Sequence, residues 1–393
     1  MTPFFLSSGL FLGWSLGAND ASNVFGTAVG SRMIRFRTAA VSCSIFVILG
    51  AVISGAGATE TLSDLGAVNA MAGSFVVAFA AAVSVYLMTL AKWPVSTSQA
   101  IVGSIVGWNL FSGFATDYNA LTKIVLTWVA CPLLSAAIAV ICYKCVQVLV
   151  NSFSFHIFML DRFTRAGLLL AGAFGSYSLG ANNIANVVGV FLPGSFFDDL
   201  VVFDTLVFSA RHQLFLIGSI AIAVGVFTYS RRVIETVGRG IFKLSPIMAF
   251  VAVLSHSIVL FLFASQGIES FLLAHGLPPI PLVPVSSSQA IVGAVLGMGL
   301  MRGGRNINWK KVSGIAVGWV CTPVIAGIVC FICLFFAQNV FQQIVFHRDL
   351  PIASIAQPPH VARNIVPDTR WFAENSNRGR FQGDSTFAIV YGL

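Results

Sequence analysis

Charge is scarce in this sequence: Lys, Arg, Asp and Glu together make up 9% of 393 residues, against 57% apolar residues and 35 Phe. So little charge cannot clothe a soluble domain, and that class is excluded. Histidine and cysteine are few and scattered. The two Cys-x-x-Cys pairs, Cys142 with Cys145 and Cys330 with Cys333, have no neighbouring His or carboxylate to complete a metal site, and they read as small packing residues. An intramembrane enzyme needs a nucleophile and base, or a His/Asp/Glu cluster, at one depth. Only Asp20 and isolated His residues are there, so we expect no enzyme, no catalytic residue and no cofactor. The net charge of +8 does not make a nucleic-acid binder, because the basic residues stand singly or in small groups between apolar spans, where they report membrane orientation.

What is abundant is length of apolar chain. Runs such as Phe75 to Leu90, Ile124 to Val140, Leu214 to Phe227 and Val312 to Phe336 approach or exceed the ~20 residues that cross a bilayer as helix, and eight to ten such spans are expected. The first begins almost at Met1 without a basic leader or cleavage site and reads as a retained transmembrane helix.

The chain repeats itself. Leu16-Gly-Ala-Asn-Asp-Ala-Ser-Asn-Val-Phe-Gly26 returns as Leu179-Gly-Ala-Asn-Asn-Ile-Ala-Asn-Val-Val-Gly189, and Pro94-Val-Ser-Thr-Ser-Gln-Ala-Ile-Val-Gly-Ser-Ile-Val-Gly107 returns as Pro284-Val-Ser-Ser-Ser-Gln-Ala-Ile-Val-Gly-Ala-Val-Leu-Gly297. A third echo, Trp128-Val-Ala-Cys-Pro132 and Trp319-Val-Cys-Thr-Pro323, follows at a matching interval. The organisation expected is a transmembrane repeat over 1–150, an inter-repeat loop over 151–165, a second transmembrane repeat over 166–338 and a polar C-terminal tail over 339–393.

Lys and Arg crowd three connections, at Arg32, Arg35 and Arg37, at Arg231, Arg232, Arg239 and Lys243, and at Arg302, Arg305, Lys310 and Lys311; these should be cytoplasmic. The loops with Glu60 and Asp64, with Asp198, Asp199 and Asp204, and with Glu269 should face outward. Each half must then cross an odd number of times, which inverts the second half. If the Pro-Val-Ser segments merely re-enter, each half crosses four times and Arg231 to Lys243 lands outside. The fold class expected is an all-α polytopic membrane protein, with two inverted-topology repeats whose broken helices or hairpins meet at a midplane site. Both termini should lie outside a plasma membrane, the inner membrane if the cell is bacterial.

Polar groups inside a bilayer mark function by default. Asp20, between Asn19 and Asn23, makes a hard-oxygen environment for a small cation or a proton, and Gly13, Gly17 and Gly26 let that helix unwind or another backbone come close. Asn182, Asn183 and Asn186 form the neutral counterpart. The co-ion candidates, with sodium as the metal to consider, are therefore Asn19, Asp20, Asn23, Asn182, Asn183 and Asn186. At Pro94 and Pro284 a fresh helix starts, with Ser96, Thr97 and Ser98 or Ser286, Ser287 and Ser288 as capping hydroxyls. Two such starts aim unpaired N–H groups and positive dipole ends at one anion, and Gln99 and Gln289 add amide donors. His256, inside an apolar run, reads as a satisfied structural histidine ahead of a proton relay, and His212 and Arg211 as snorkelling side chains.

With no Lys or Arg in either motif, transport of an anion should be coupled. A dianion entering against an inside-negative potential costs about 2.3 kcal/mol per charge per 100 mV, so more than one cation per anion is expected. Phosphate keeps an O–H that can donate to Asp20, whereas sulfate has none, and this favours phosphate.

The doubled Gly-Ala-Asn-Asp/Asn-x-x-Asn and Pro-Val-Ser-Thr/Ser-Ser-Gln motifs resemble the signatures of the inorganic phosphate transporter (PiT) family, over residues 4 to 338. The resemblance implies an inverted-repeat helical fold and phosphate import coupled to sodium or protons. It places ion and phosphate contacts at Asp20, Asn23, Asn183 and Asn186 and at the hydroxyls of Ser96, Thr97, Ser98, Ser286, Ser287 and Ser288. It also implies a homodimer. Asn183 departs from the family pattern, which usually has a second Asp there. Some members carry sulfate, so a sulfate permease on the same scaffold is the nearest alternative, and a passive anion channel a remote one.

Overall fold

A chain with long apolar runs and little charge can satisfy its backbone in a bilayer only by closing hydrogen bonds within each segment, and helix is the solution for runs of this kind. The structure is a computed structural model that describes residues 2–66, 68–90, 95–153, 156–194, 197–202, 206–231 and 244–347. Among these are twelve α-helices: α1 Thr2–Gly30, α2 Phe36–Ser54, α3 Ala56–Leu65, α4 Met71–Leu90, α5 Thr97–Ser112, α6 Tyr118–Ser152, α7 Ile157–Val188, α8 Ala210–Thr228, α9 Pro246–Leu262, α10 Gln266–Ala274, α11 Ser287–Met301 and α12 Trp309–Asn339. One antiparallel hairpin pairs Leu200–Val202 with Leu206–Phe208. It lies in the acidic connection between α7 and α8, where Asp199 accepts from the first backbone N–H of α8 at 2.8 Å.

Among the described residues, fewer helices than the eight to ten expected have both the length and the apolarity to cross: α2, α4, α6, α8 and α12, with α9 and α10 a sixth if the pair, bent by 66°, is one span. The difference has a physical cause. Helices α1 and α7 are 29 and 32 residues long but carry the Asn and Asp motifs, while α5 and α11, at 16 and 15 residues, rise only about 24 Å and fall short of a ~30 Å hydrocarbon core. Several expectations for connections shift as well. Glu60 and Asp64 lie on α3, and Glu269 lies on α10, rather than in loops. The link between halves is shorter than 151–165, since α6 ends at Ser152 and α7 starts at Ile157. Beyond α12 the chain folds back before any tail: Val345 is buried, its carbonyl accepts from Trp108 Nε1 at 3.0 Å, and His347 exchanges two hydrogen bonds with Asn69. Pro94, Arg232, Arg239, Lys243, Asp204 and residues 348–393 lie outside the described residues.

Packing follows an exchange of halves. Helix α2 packs on α7 as α8 packs on α1; α5 packs on α12 as α11 packs on α6; α1 on α4 as α7 on α9; α4 on α5 as α9 on α11; and α4 on α12 as α9 on α6. Small residues make the swapped contacts close. A methyl group added at Gly103 would run into the carbonyl oxygen of Pro323, and one at Gly293 into that of Pro132. The same reciprocity links Gly17 to the carbonyl of Ile222 and Gly180 to that of Val47. The small-xxx-small faces and the Trp-Val-x-x-Pro echo therefore serve one purpose: each half's short helix lies against the Pro-bearing long helix of the other half.

Gly103→Ala and Gly293→Ala should each destabilise the protein by about 1–3 kcal/mol through overpacking. Gly314→Ala, where an added methyl meets nothing within 4 Å, should be neutral or stabilising by up to about 1 kcal/mol. Thermal unfolding in detergent micelles checks all three.

Candidate functional site

The polar motifs converge because each asparagine-bearing helix holds the extended segment that precedes a short helix. On α7, Asn182 Nδ2 donates to the carbonyl of Val283 at 3.0 Å, and its Oδ1 accepts from the N–H of Val285 at 2.9 Å. On α1, Asn19 Nδ2 donates to the carbonyl of Val95 at 3.2 Å. A side-chain amide thus supplies the pairing that an extended backbone inside the protein lacks. Held in place, the chain turns into helix at Ser96 and Ser286, whose hydroxyls accept from Gln99 N at 3.3 Å and Gln289 N at 3.2 Å. Both serine N-caps expected from the sequence are present, and Pro284 stands two residues before the second.

The remaining motif residues cross between halves. Asn23 on α1 donates from Nδ2 to Ser287 Oγ of α11 at 3.2 Å and to Asp20 Oδ1 at 3.3 Å. Its counterpart Asn186 on α7 donates to Ser98 Oγ of α5 and to Asn183 Oδ1, both at 2.9 Å. Thr97 Oγ1 faces Asp20 Oδ2 at 3.5 Å, Asn19 Nδ2 faces Asp20 Oδ1 at 3.4 Å, and Ser286 and Ser288 share a hydrogen bond of 3.0 Å. All twelve motif side chains expected to bind the anion are buried, and they lie on the two asparagine helices and on the N-caps and first turns of α5 and α11. The asparagine helices run unbroken past Asp20 and Asn183, so the unwinding that Gly13, Gly17 and Gly26 permit does not occur. Of these glycines, Gly13 and Gly17 instead admit α8 closely, and Gly26 faces open space.

His256 on α9 belongs to this cluster too: it is fully buried, and its Nε2 lies 2.9 Å from Ser287 Oγ. Sequence reasoning ranked it as structural because an isolated His in an apolar run gives no sign of which helix it will face. Its place in the second half of α9, beside Ser287 in the first turn of α11, shows which helix it faces.

The cluster is underbonded. Among the described residues, Gln99 Oε1, Gln289 Oε1, Asn183 Nδ2, Asn186 Oδ1 and His256 Nδ1 are buried side-chain atoms with no partner. Buried polar atoms are nearly always satisfied, and these five belong to the two doubled motifs and to the histidine bonded to Ser287. The charged group within the cluster is a carboxylate, Asp20. The donors are hydroxyls, amides and the unpaired N–H groups at the starts of α5 and α11. Carboxylate and amide oxygens are the chemistry of small-cation sites, and hydroxyls with helix-start N–H groups that of oxyanion sites.

Comparison with known proteins agrees with the doubled motifs. The sequence profile of the phosphate transporter family matches residues 16–269 and 281–382. A candidate phosphate permease of Methanocaldococcus jannaschii is 30% identical over 323 residues, covering 82% of this chain and 93% of that one. The chloroplastic inorganic phosphate transporter 2-1 of Arabidopsis thaliana is 23% identical over 415 residues, covering 80% of this chain and 68% of that one. A solved structure described as the sodium-dependent phosphate transporter superposes with a TM-score of 0.67 at 23% identity, over 85% of this chain and 99% of the other; at that identity the likeness is one of fold.

Asn182→Ala removes two of the bonds that hold the Val283–Val285 segment, leaving those from the Val283 N–H to Phe263 and from Ser98 to Val285, and should lower stability by about 1–3 kcal/mol. Asn339→Ala, which loses one exposed bond to the Phe335 carbonyl, should stay within about 0.5 kcal/mol. Unfolding midpoints measured side by side in detergent separate the two.

Proposed function

The chain belongs to the phosphate transporter family, and from that premise we propose that it imports inorganic phosphate by secondary active transport, driven by a sodium or proton gradient. The observation that carries this reading is the juxtaposition of the Asp20 carboxylate, ringed by Asn19, Asn23 and Thr97, with two helix starts whose hydroxyls and N–H groups suit an anion. A carboxylate placed in an anion path opposes passage unless a cation accompanies the anion, and this argues for coupling over a passive channel. The sodium-dependent phosphate transporter that shares the fold lends support to sodium as the co-ion.

Phosphate binds, on this reading, between Ser96, Thr97, Ser98 and Gln99 on one side and Ser286, Ser287, Ser288 and Gln289 on the other. Asn23, Asn183 and Asn186 reach it from α1 and α7. The co-ion sits at Asp20 with Asn19 and Asn23. Phosphate retains an O–H that Asp20 can accept, and sulfate would leave that acceptor unpaired, which is the basis for discrimination.

Alternating access follows from the exchanged packing. Each short helix starts at the site and is backed by the other half's Pro-bearing helix, so one bundle can move against the other about the bound ions. The halves are read as inverted in topology, a reading supported by the reciprocal helix contacts and by the basic connections at Arg32 to Arg37 and Arg302 to Lys311.

Labelled phosphate uptake into proteoliposomes, under a sodium gradient, a proton gradient or neither, tests this reading. Uptake should require one of the gradients and persist in excess sulfate. In Asp20→Asn it should fall by about 100-fold, the scale of losing ~3 kcal/mol of charge-assisted contact. Uptake blocked by sulfate would move the substrate to sulfate, and gradient-independent flux that survives Asp20→Asn would sink coupling.

A further inference from the structure

Asp20 and Asn183 occupy matching positions in the two halves, and the hydrogen bonds around Asn183 fix which way its amide faces. The Ser98 hydroxyl lies 3.0 Å from the carbonyl of Val285 and 3.3 Å from Asn183 Oδ1, and its single proton goes to one of these two acceptors. Ser98 must then act as acceptor toward Asn186, and the Asn186 atom 2.9 Å from it is the NH2 group. The second proton of that NH2 goes to Asn183, also at 2.9 Å, so the Asn183 atom facing Asn186 is Oδ1. What remains is Asn183 Nδ2, on a side chain 1% exposed, with two protons and no partner.

The matching atom in the first half has the opposite chemistry. Asn23 donates to Asp20 Oδ1 as Asn186 donates to Asn183 Oδ1, and the outer atom is then the carboxylate oxygen Oδ2, 3.5 Å from Thr97 Oγ1. An oxygen carrying negative charge is offered where the second half offers N–H donors.

We infer that Asn183 serves the anion and not a second cation: its unpaired N–H donates to a phosphate oxygen, and the site is divided into a cation half at Asp20 and an anion half at Asn183. This rests on the phosphate-transport reading above and deepens it. A single carboxylate supports a single cation, and one cation with singly charged dihydrogen phosphate moves no net charge. The argument for more than one cation applies to the dianion, which this division does not favour. Asn183→Asp would rebuild the symmetric pair, placing a second carboxylate against the anion while creating a second cation position.

The test is phosphate uptake into proteoliposomes against co-ion concentration for the unmodified chain, Asn183→Asp and Asn183→Ala, with unfolding midpoints for each. The unmodified chain should show a co-ion Hill coefficient of about one, and Asn183→Asp should steepen it toward two while raising the phosphate KM by about tenfold or more, as like charges are brought together. Asn183→Ala should raise the phosphate KM with the Hill coefficient unchanged, a split that a purely structural role would not produce. A coefficient near two in the unmodified chain, or a phosphate KM indifferent to both substitutions, overturns the inference while leaving phosphate transport intact. Absence of phosphate uptake by the unmodified chain overturns the transport reading itself and this inference with it.

Discussion

An extended backbone segment buried inside a membrane protein must find hydrogen-bond partners, and here they come from asparagine side chains on the helix alongside. Asn182 closes two bonds of the Val283–Val285 stretch, and Asn19 donates to the carbonyl of Val95. Because these segments are held, the helices that follow begin in the interior rather than at a surface. Their first turns, with serine caps and free N–H groups, then become available to a ligand. Without the asparagine bonds the unpaired backbone would cost several kcal/mol per group in an apolar setting (about 1–3 by protein measurements), and short helices such as α5 and α11 would have no reason to start where they do.

That constraint explains why the halves need each other. The bonds from Asn23 to Ser287 and from Asn186 to Ser98 run from one half to the other. The close contacts of Gly103 with Pro323 and of Gly293 with Pro132 do the same at the backs of the short helices. On the proposed reading, neither half builds a complete site. The two are equivalent in packing and differ in charge, with Asp20 in one and Asn183 in the other, so a nearly symmetric scaffold presents an asymmetric pair of ligand surfaces.

Much of this was legible in the sequence, for reasons that differ from residue to residue. The repeated motifs gave away the duplication, and Ser96 and Ser286 were readable as helix caps because capping is local. The membrane class followed from composition alone. What was not legible depends on tertiary contact. Nothing in the sequence around Gly17 distinguishes an unwound helix from one that a neighbouring backbone approaches, and the structure shows the approach. That α5 and α11 are short was not legible either, because they look like apolar stretches of adequate length until their starts are placed inside the protein. Which helix His256 faces was not legible, since its partner, Ser287, lies 31 residues away on another helix, a distance that no local pattern encodes.

The central claim is that one anion lies between the starts of α5 and α11, held by residues of both halves. A crystal structure with arsenate, which matches phosphate in shape and charge and carries an anomalous scatterer, tests this most directly. The account predicts one strong anomalous peak within hydrogen-bonding reach of the Ser96–Ser98 and Ser286–Ser288 hydroxyls and of Asn183. A peak confined to the surface, or one reached by residues of a single half, would contradict it.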